Sequence, residues 1–460
     1  MATLTFLGAA GTVTGSKHLL DLGDHRVLID YGLFQGLKEL RLRNWQPFPI
    51  DPHSIDAVIL THAHLDHCGL LPRLVAQGFR GRIFCTPGTQ DLCSLILRDA
   101  ARIQEEDARD ANRHGYSKHA PALPLYTLVD AERTLTQLQP VGFHRPVPVV
   151  PGLEVEFLNA GHLLGSAYAR VRTAGKTILF GGDLGRYSRP VLPDPTPVEG
   201  ADVLLVESTY GNKQHEPDDG GARLAAIVND AASRGGKLLI PAFAVGRVEE
   251  VLYWLKQLEE AKRIPVLPVY VDSPMAEKAL QFYTSRTEEL DPDIHVDAAR
   301  GVLVFATERL TLVASPQQSK DLVASRKRAI VIASSGMATG GRVLYHLAAG
   351  LPDPKTTVLF VGFQAAGTRG RTLIEGATEV RMKGRQIPVA ARIERLNSMS
   401  AHADGGEILR WLSGFKSAPS KTFLVHGEPP ALDALHARIE TELRWSAHIA
   451  RHEERVDLEF

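Results

Sequence analysis

The segment Thr61-His62-Ala63-His64-Leu65-Asp66-His67-Cys68-Gly69 limits what this chain can be more than any other. It follows the apolar run Ala57–Leu60, which reads as a buried strand, so three imidazoles and a carboxylate crowd into six positions of a strand-end loop. Successive side chains on such a loop point to different sides of a cavity. Imidazole with carboxylate is also the donor set that borderline cations such as zinc favour. This is not the helical arrangement in which two histidines at i and i+4 share one face. His-x-His-x-Asp-His has room for two cations, one on His62 and His64, the other on Asp66 and His67.

Elsewhere, short Val- and Ile-rich runs recur between turn signals and read as buried strands. They are Leu4–Leu7, Arg26–Ile29, Ile83–Cys85, Val155–Leu158, Thr177–Phe180, Val203–Val206, Lys237–Ile240, Val266–Val271, Ala329–Ile332, Thr357–Val361 and Thr422–Val425. Helical spacing marks Arg223–Arg234, which stops at Gly235, and Val245–Lys262. Asp404 with Glu407 reads as a capped helix start. Strands alternating with helices make an α/β protein. The polar stretch Asp99–Leu123 reads as a helix followed by a surface insertion, and no repeat or flexible linker separates independent parts.

Composition removes several classes. With 44% hydrophobic and 23% charged residues the chain is neither disordered nor fibrous. Lys and Arg number 52 against 53 Asp and Glu, so a nucleic-acid partner would have to meet a local basic surface and not a general positive field. Three cysteines, Cys68, Cys85 and Cys93, are too few for a disulfide framework and point to the reducing cytosol. No run approaches the roughly 18 apolar residues of a membrane span. The first basic residue is Lys17, so the opening reads as a strand and a glycine-rich turn and not as a signal peptide.

On its His-x-His-x-Asp-His motif the chain resembles the metallo-β-lactamase superfamily. The resemblance implies an αββα sandwich with metals at the strand ends, and each further piece of the pattern is present. Gly161–Ser166 offers His162 after one strand, and Gly181-Gly182-Asp183 offers a bridging carboxylate after the next. Asp30, after Val27–Ile29, matches the family's first acidic motif and is expected to orient ligands from behind.

Three later motifs are similar, in order, to motifs A, B and C of the β-CASP branch of nucleases. They are Glu207 in Leu204–Gly211, His402 in Ser398–Asp404, and His426 in Leu424–Glu428. About 195 residues separate Glu207 from His402. If both attend the same metals, that stretch is an excursion that leaves and returns, an inserted α/β β-CASP domain acting as a lid. The expected limits are 1–208 and 389–460 for the metallo-β-lactamase domain and 209–388 for the insertion. Gly8–Ser16 and Gly161–Ser166 look most like the catalytic subunit of the cleavage and polyadenylation specificity factor and its prokaryotic relatives. A His at motif C goes with RNA-processing members, an aliphatic residue there with DNA-repair nucleases. His426 therefore favours RNA.

The resemblance implies two zinc ions per chain, with manganese suited to the same nitrogen and oxygen donors. One takes His62, His64 and His162, the other Asp66, His67 and His426, with Asp183 between. The expected reaction is hydrolysis of single-stranded RNA, by endonucleolytic and 5′-to-3′ exonucleolytic cutting, in RNA processing or decay. Asp66, Asp183, Glu207 and His402 form the catalytic set; the metals activate water, and His402, held by Glu207, is the general acid. The products carry a 5′-phosphate and a 3′-hydroxyl. Ser335 and Gly336 in Ala333–Met337, Thr368 and Arg369 in Gly367–Arg371, Arg247 and Ser400 are expected to contact RNA. A basic segment follows with Arg381, Lys383, Arg385, Arg392 and Arg395. Relatives often dimerise, so a homodimer is expected; a membrane partner is not.

Competing readings are a small-ester metallo-hydrolase, a DNA nuclease and a non-catalytic RNA-binding subunit. The insertion and the Glu207/His402 pair speak against the first, His426 against the second, and the full set of ligating side chains against the third. His18, His25, His53, His114 and His119 are assigned no role, nor is Cys68 beside the motif. Trp45 and Trp254 are expected in the core.

Overall fold

Ala57–Ile59, Val203–Glu207, Ile330–Ala333 and Thr357–Val361 are buried along their whole length, as strands covered on both faces must be. The computed structural model describes residues 2–115, 117–216, 219–362, 364, 367–396 and 399–459. They form two units, one running to Gln214 and resuming at Ala401, the other the intervening His215–Ser400.

The first unit is a mixed α/β sandwich of two seven-stranded sheets. One has the order Arg455–Leu458, Ala2–Phe6, His18–Asp21, Arg26–Ile29, Ala57–Ile59, Arg82–Cys85, Leu138–Pro140. Its first pairings are antiparallel and its last three parallel. The other has the order His448–Ile449, Lys421–Val425, Val203–Glu207, Lys176–Phe180, Ala167–Thr173, Leu153–Asn159, Val147–Val150. A single apolar cluster joins the facing sides, with Phe6, Ile29 and Ile59 from one sheet against Phe157, Phe180, Leu205 and Val425 from the other. The far side of the second sheet, at Tyr168, Leu179, Leu204 and Leu424, is covered by helices Gly405–Leu412 and Pro429–Arg438 through Ile408, Trp411, Leu412, Leu432 and Leu435. Helix Pro87–His114 buries Leu92, Cys93, Ile96 and Leu97. Its second half, from Asp99 on, is the helix expected at the start of the polar stretch, and Leu123 beyond it is 65% exposed.

The inserted unit holds a six-stranded parallel sheet, ordered Leu310–Leu312, Val269–Val271, Ile330–Ala333, Leu238–Pro241, Thr357–Val361, Arg392–Leu396. A hairpin, Glu379–Met382 with Arg385–Pro388, stands apart. Arg392–Leu396 pairs with Thr357–Val361 along five residues, so this unit's sheet continues past residue 388, where the sequence pattern places its end. The edge position explains the difference. Arg392 and Arg395 are exposed and Glu394 is partly so, and these charged residues hide the strand from an apolar-run criterion.

Every apolar run named above carries a strand, within a few residues at each end. Asp404 and Glu407 form the expected reciprocal cap, Glu407 N donating to Asp404 Oδ1 at 2.8 Å and Asp404 N to Glu407 Oε2 at 3.0 Å. Trp45 departs from expectation: it is half exposed, with the Arg73 guanidinium over its ring. Ser398, in the motif around His402, lies outside the described residues.

Candidate metal centre and active site

Strand direction collects the site. Val203–Glu207 runs parallel to both Lys176–Phe180 and Lys421–Val425, so Asp183, Glu207 and His426 all emerge at one edge of the second sheet. Leu153–Asn159, antiparallel to Ala167–Thr173, points the same way and delivers His162. In the first sheet, parallel Arg26–Ile29 and Ala57–Ile59 deliver Asp30 and the His62–His67 loop. Two glycines let these loops touch backbone to backbone. A Cβ on Gly32 would lie 1.6 Å from Asp66 O, and one on Gly185 would lie 2.0 Å from Gly161 O.

His62, His64, His162 and Asp183 form one donor group, their ligand atoms all within 4.8 Å of one another. His64 Nδ1 lies 3.1 Å from both His62 Nε2 and His162 Nε2, and Asp183 Oδ2 lies 3.4 Å from His62 Nε2 and 3.5 Å from His162 Nε2. Asp66, His67 and His426 form a second group. His67 Nε2 and His426 Nε2 are 3.1 Å apart, and His426 Nε2 is 3.5 Å from Asp66 Oδ2. Asp183 reaches this group too, with Oδ1 3.2 Å from His67 Nε2 and 3.5 Å from His426 Nδ1.

Residues behind the donors fix their rings. Asp30 Oδ2 lies 2.7 Å from His67 Nδ1, and its two oxygens accept from Thr61 N at 2.8 Å and from Thr61 Oγ1 at 3.1 and 2.9 Å. This leaves His67 Nε2 to face the centre. Thr61 Oγ1 also lies 3.1 Å from His62 Nδ1, and Thr209 Oγ1 lies 3.1 Å from His426 Nδ1. Ser166 Oγ accepts from the backbone N–H of His162 and Leu163. Thr61, Ser166 and Thr209 stand inside the sequence motifs, but the motifs alone give them no role. A hydroxyl's function depends on which ring nitrogen it meets, and spacing does not encode that.

Protonation suits cation binding, which needs bare imidazoles and ionised carboxyls. Burial, reinforced by neighbouring imidazoles, lowers the pKa of His62 and His162 and takes His64 down to about 3. Burial opposes the charges of Asp66 and Asp183, but the surrounding histidines outweigh it and hold both carboxyls well below the usual range. His67 goes the other way: burial resists its charge, and Asp183 and Asp30 overcome that resistance.

Beside these groups stands a third pair. His402 Nδ1 is 3.1 Å from Glu207 Oε2 and 3.2 Å from Oε1, and Oε1 also accepts from Leu184 N at 2.6 Å. The His402 ring packs 4.5 Å from that of His162, with Tyr210 edge-on at 5.9 Å. Its side chain is 22% exposed, against 1% for His62 and His67. Burial would lower its pKa, but the Glu207 and Asp183 carboxylates push it up to about 9. A bound cation would draw that value back towards neutrality, where a general acid works best.

The donor set fits metal ions. Three imidazole nitrogens converge on one another, an arrangement that neutral rings cannot satisfy by hydrogen bonds alone. Among the described residues, Asp183 Oδ1 and His162 Nδ1 are also buried without a hydrogen-bond partner. All the proposed metal-binding and catalytic residues, with Asp30, lie in the first unit, and Arg247, Ser335, Gly336, Thr368, Arg369 and Ser400 in the second. Ser335 and Gly336 follow strand Ile330–Ala333, with Ser335 Oγ bonded to Thr339, while Thr368 caps helix Arg369–Ile374. Ser400 is buried. Arg247 is 7% exposed and ion-paired with Glu250 one helical turn on, at the start of its helix. Arg369 spends its guanidinium on the carbonyls of Arg381, Ala338 and Thr339.

Comparison with known proteins agrees with this geometry. Three family descriptions match: a beta-lactamase superfamily domain over residues 25–242, a Beta-Casp domain over 248–373, and a Zn-dependent metallo-hydrolase RNA specificity domain over 386–450. Ribonuclease TTHA0252 of Thermus thermophilus is 38% identical over 429 residues, covering 93% of this chain and 94% of that protein. Transcription termination factor FttA of Methanosarcina mazei is 30% identical, covering 96% and 69% respectively. An RNase J-like protein of Methanocaldococcus jannaschii is 29% identical, covering 93% of each. A solved structure of an Enterococcus faecalis protein of unknown function shares the fold with a TM-score of 0.56 at 13% identity, covering 99% of this chain and 100% of that one.

Proposed function

The chain belongs to the β-CASP branch of the metallo-β-lactamase superfamily, and from that premise we propose that it is a metal-dependent ribonuclease hydrolysing phosphodiester bonds of single-stranded RNA. One observation carries the reading: Asp183 belongs to one donor group and reaches His67 and His426 of the other, and the Glu207–His402 pair lies at their side.

His62, His64 and His162 would hold one ion and Asp66, His67 and His426 the other, with Asp183 in reach of both. Bound there, divalent cations, zinc in this reading with manganese able to use the same donors, acidify water and neutralise the scissile phosphate. Asp30 and Thr61 keep His67 and His62 in the tautomers that present Nε2. His402 gives its proton to the leaving 3′ oxygen as the bond to phosphorus breaks, and Glu207 steadies the imidazole. The hydroxyl of water stays on phosphorus, so one fragment ends in a 3′-hydroxyl and the other begins with a 5′-phosphate. Ser335, Gly336, Thr368, Arg369 and Ser400 serve RNA binding in the inserted unit, Arg369 by bracing its neighbours. We place the enzyme in the cytosol, as a homodimer, acting in RNA processing or decay. No helix among the described residues is long and apolar enough to cross a membrane.

The test is end-mapped cleavage of a 5′-labelled single-stranded RNA, beside DNA of equal sequence and a His402→Ala variant. Cleavage of RNA alone, with 3′-hydroxyl ends and lost in the variant, supports the reading. Ends carrying 2′,3′-cyclic phosphate would overturn the mechanism, and equal cutting of DNA would overturn the substrate.

A further inference from the structure

Outside the metal centre, the hairpin Glu379–Met382/Arg385–Pro388 carries a residue that its local geometry disfavours. Met382 pairs with Arg385, so Lys383 and Gly384 form a two-residue turn, with φ of +49° and +78°. Two positive φ values define the primed hairpin turn, whose first position favours Asn, Asp or Gly. Lysine has no local reason to be there. Its ammonium sits 3.2 Å from the centroid of the Tyr345 ring, a cation–π contact. Tyr345 is 52% exposed on helix Val343–Gly350.

The surroundings make this pair one fixed surface. Val380 and Met382 from the hairpin join Val343, Leu344 and Leu347 in one buried cluster, locking the hairpin to the helix that bears Tyr345. Arg369 ties Arg381 O to the carbonyls of Ala338 and Thr339. Lys383 stands over the ring, with Arg381 and Arg385 exposed beside it on the same hairpin, and among the described residues none of the three is in an ion pair. A fixed, half-exposed aromatic ring next to a hairpin that carries three uncompensated cations matches what a single-stranded nucleic acid presents: a π face on each base and a charge on each phosphate.

We propose that Tyr345 is a base-stacking platform for the RNA strand, with Arg381, Lys383 and Arg385 engaging its phosphates. The proposal rests on the ribonuclease reading and extends it to how the strand is gripped. An acidic protein segment would use the cations but not the ring, and this separates the two occupants.

The experiment is equilibrium binding of a fluorescently labelled single-stranded oligoribonucleotide to the full chain across a salt series. Tyr345→Ala should weaken binding ~5–100-fold, and Tyr345→Phe should not. Lys383→Asn suits the turn, so it should fold at least as well as the parent while lowering affinity and flattening the salt dependence. Oligonucleotides with one abasic site, scanned along the strand, should include a position where Tyr345→Ala costs nothing further. Hydrolysis of bis(p-nitrophenyl) phosphate should be unchanged in every variant, because that substrate is too small to use the platform. Loss in the charge variant alone, with Tyr345→Ala and abasic RNA indistinguishable from their controls, would refute stacking and favour the acidic segment. If the parent chain binds no RNA at all, the ribonuclease reading fails and the platform with it.

Discussion

Asp30→Asn is the sharpest single test of how the metal centre is built. Asp30 has a φ of +60°, a conformation that Asn tolerates as well as Asp, so the backbone has no reason to move. The carboxylate accepts from Thr61 N and Thr61 Oγ1 and faces His67 Nδ1 at 2.7 Å, while its residue is 1% exposed. An amide has one accepting oxygen and one donating nitrogen, so it cannot serve both Thr61 N and His67 Nδ1. If its oxygen stays with Thr61, its NH2 meets His67 Nδ1 and drives the proton to Nε2, the atom that faces Asp183 and His426. Losing a partner behind a metal-ligating His costs about 10–100-fold in metal affinity, or roughly 1.4–2.7 kcal/mol. If the oxygen turns to His67 instead, a buried N–H of Thr61 is stranded opposite another donor, at a cost of about 1–3 kcal/mol in folding. Competition titration with a chelating dye measures the first outcome and urea unfolding of the metal-free chain the second. A variant within twofold of the parent in affinity and within about 0.3 kcal/mol in stability would show that Asp30 does not orient His67, and the ligand geometry argued above would fall.

Three further outcomes follow from the same structure. His402→Ala should retain bound metal but lose about 10²–10⁴-fold in kcat on RNA, and retained turnover would remove it as the acid. Glu249, fully buried in helix Arg247–Glu260, has its carboxyl pushed up to about 8 by burial. Its unfolded value lies near 4.5, so between those values the unfolded chain has lost a proton that the folded chain keeps. Stability must therefore fall as pH rises through that window. Glu249→Gln should flatten the dependence, which unfolding midpoints at pH 5 and pH 8 would show; an unchanged slope refutes the assignment. Gly32→Ala would drive a methyl into Asp66 O, and should destabilise by at least about 1–3 kcal/mol and lower metal content, read by thermal unfolding and elemental analysis.

Much of the site was legible because its first half is local. His62, His64, Asp66 and His67 share one loop after an apolar strand, and imidazoles crowded so closely beside a carboxylate rarely serve any purpose but metal binding. His162, Asp183, Glu207, His402 and His426 are remote in the chain, and strand-end position together with family resemblance made them candidates. The parallel register that brings them together is visible only in the fold. What escaped were features written in polar residues. Glu379–Met382 alternates charge with apolar side chains, as strands with one solvent face do, and Arg385–Pro388 and Arg392–Leu396 are largely polar, so all three stood out only as a basic segment. That Arg247 pairs with Glu250, three residues on, is likewise visible only in the fold.

The division of the first unit around the insertion has a consequence for how the protein is made. His62, His64, Asp66, His67, His162 and Asp183 leave the ribosome early, but His402 and His426 follow only after residues 215–400. At about 5–20 residues per second that delay is roughly 10–40 s. The first strand, Ala2–Phe6, waits longer still for its neighbour Arg455–Leu458, which is made well after the insertion. Before the insertion is complete, a nascent chain on its own messenger lacks both the proposed acid and one of the proposed ligands. Synthesis order alone would keep an enzyme built this way from cutting the transcript that encodes it until the insertion and the residues that complete the first unit have been made.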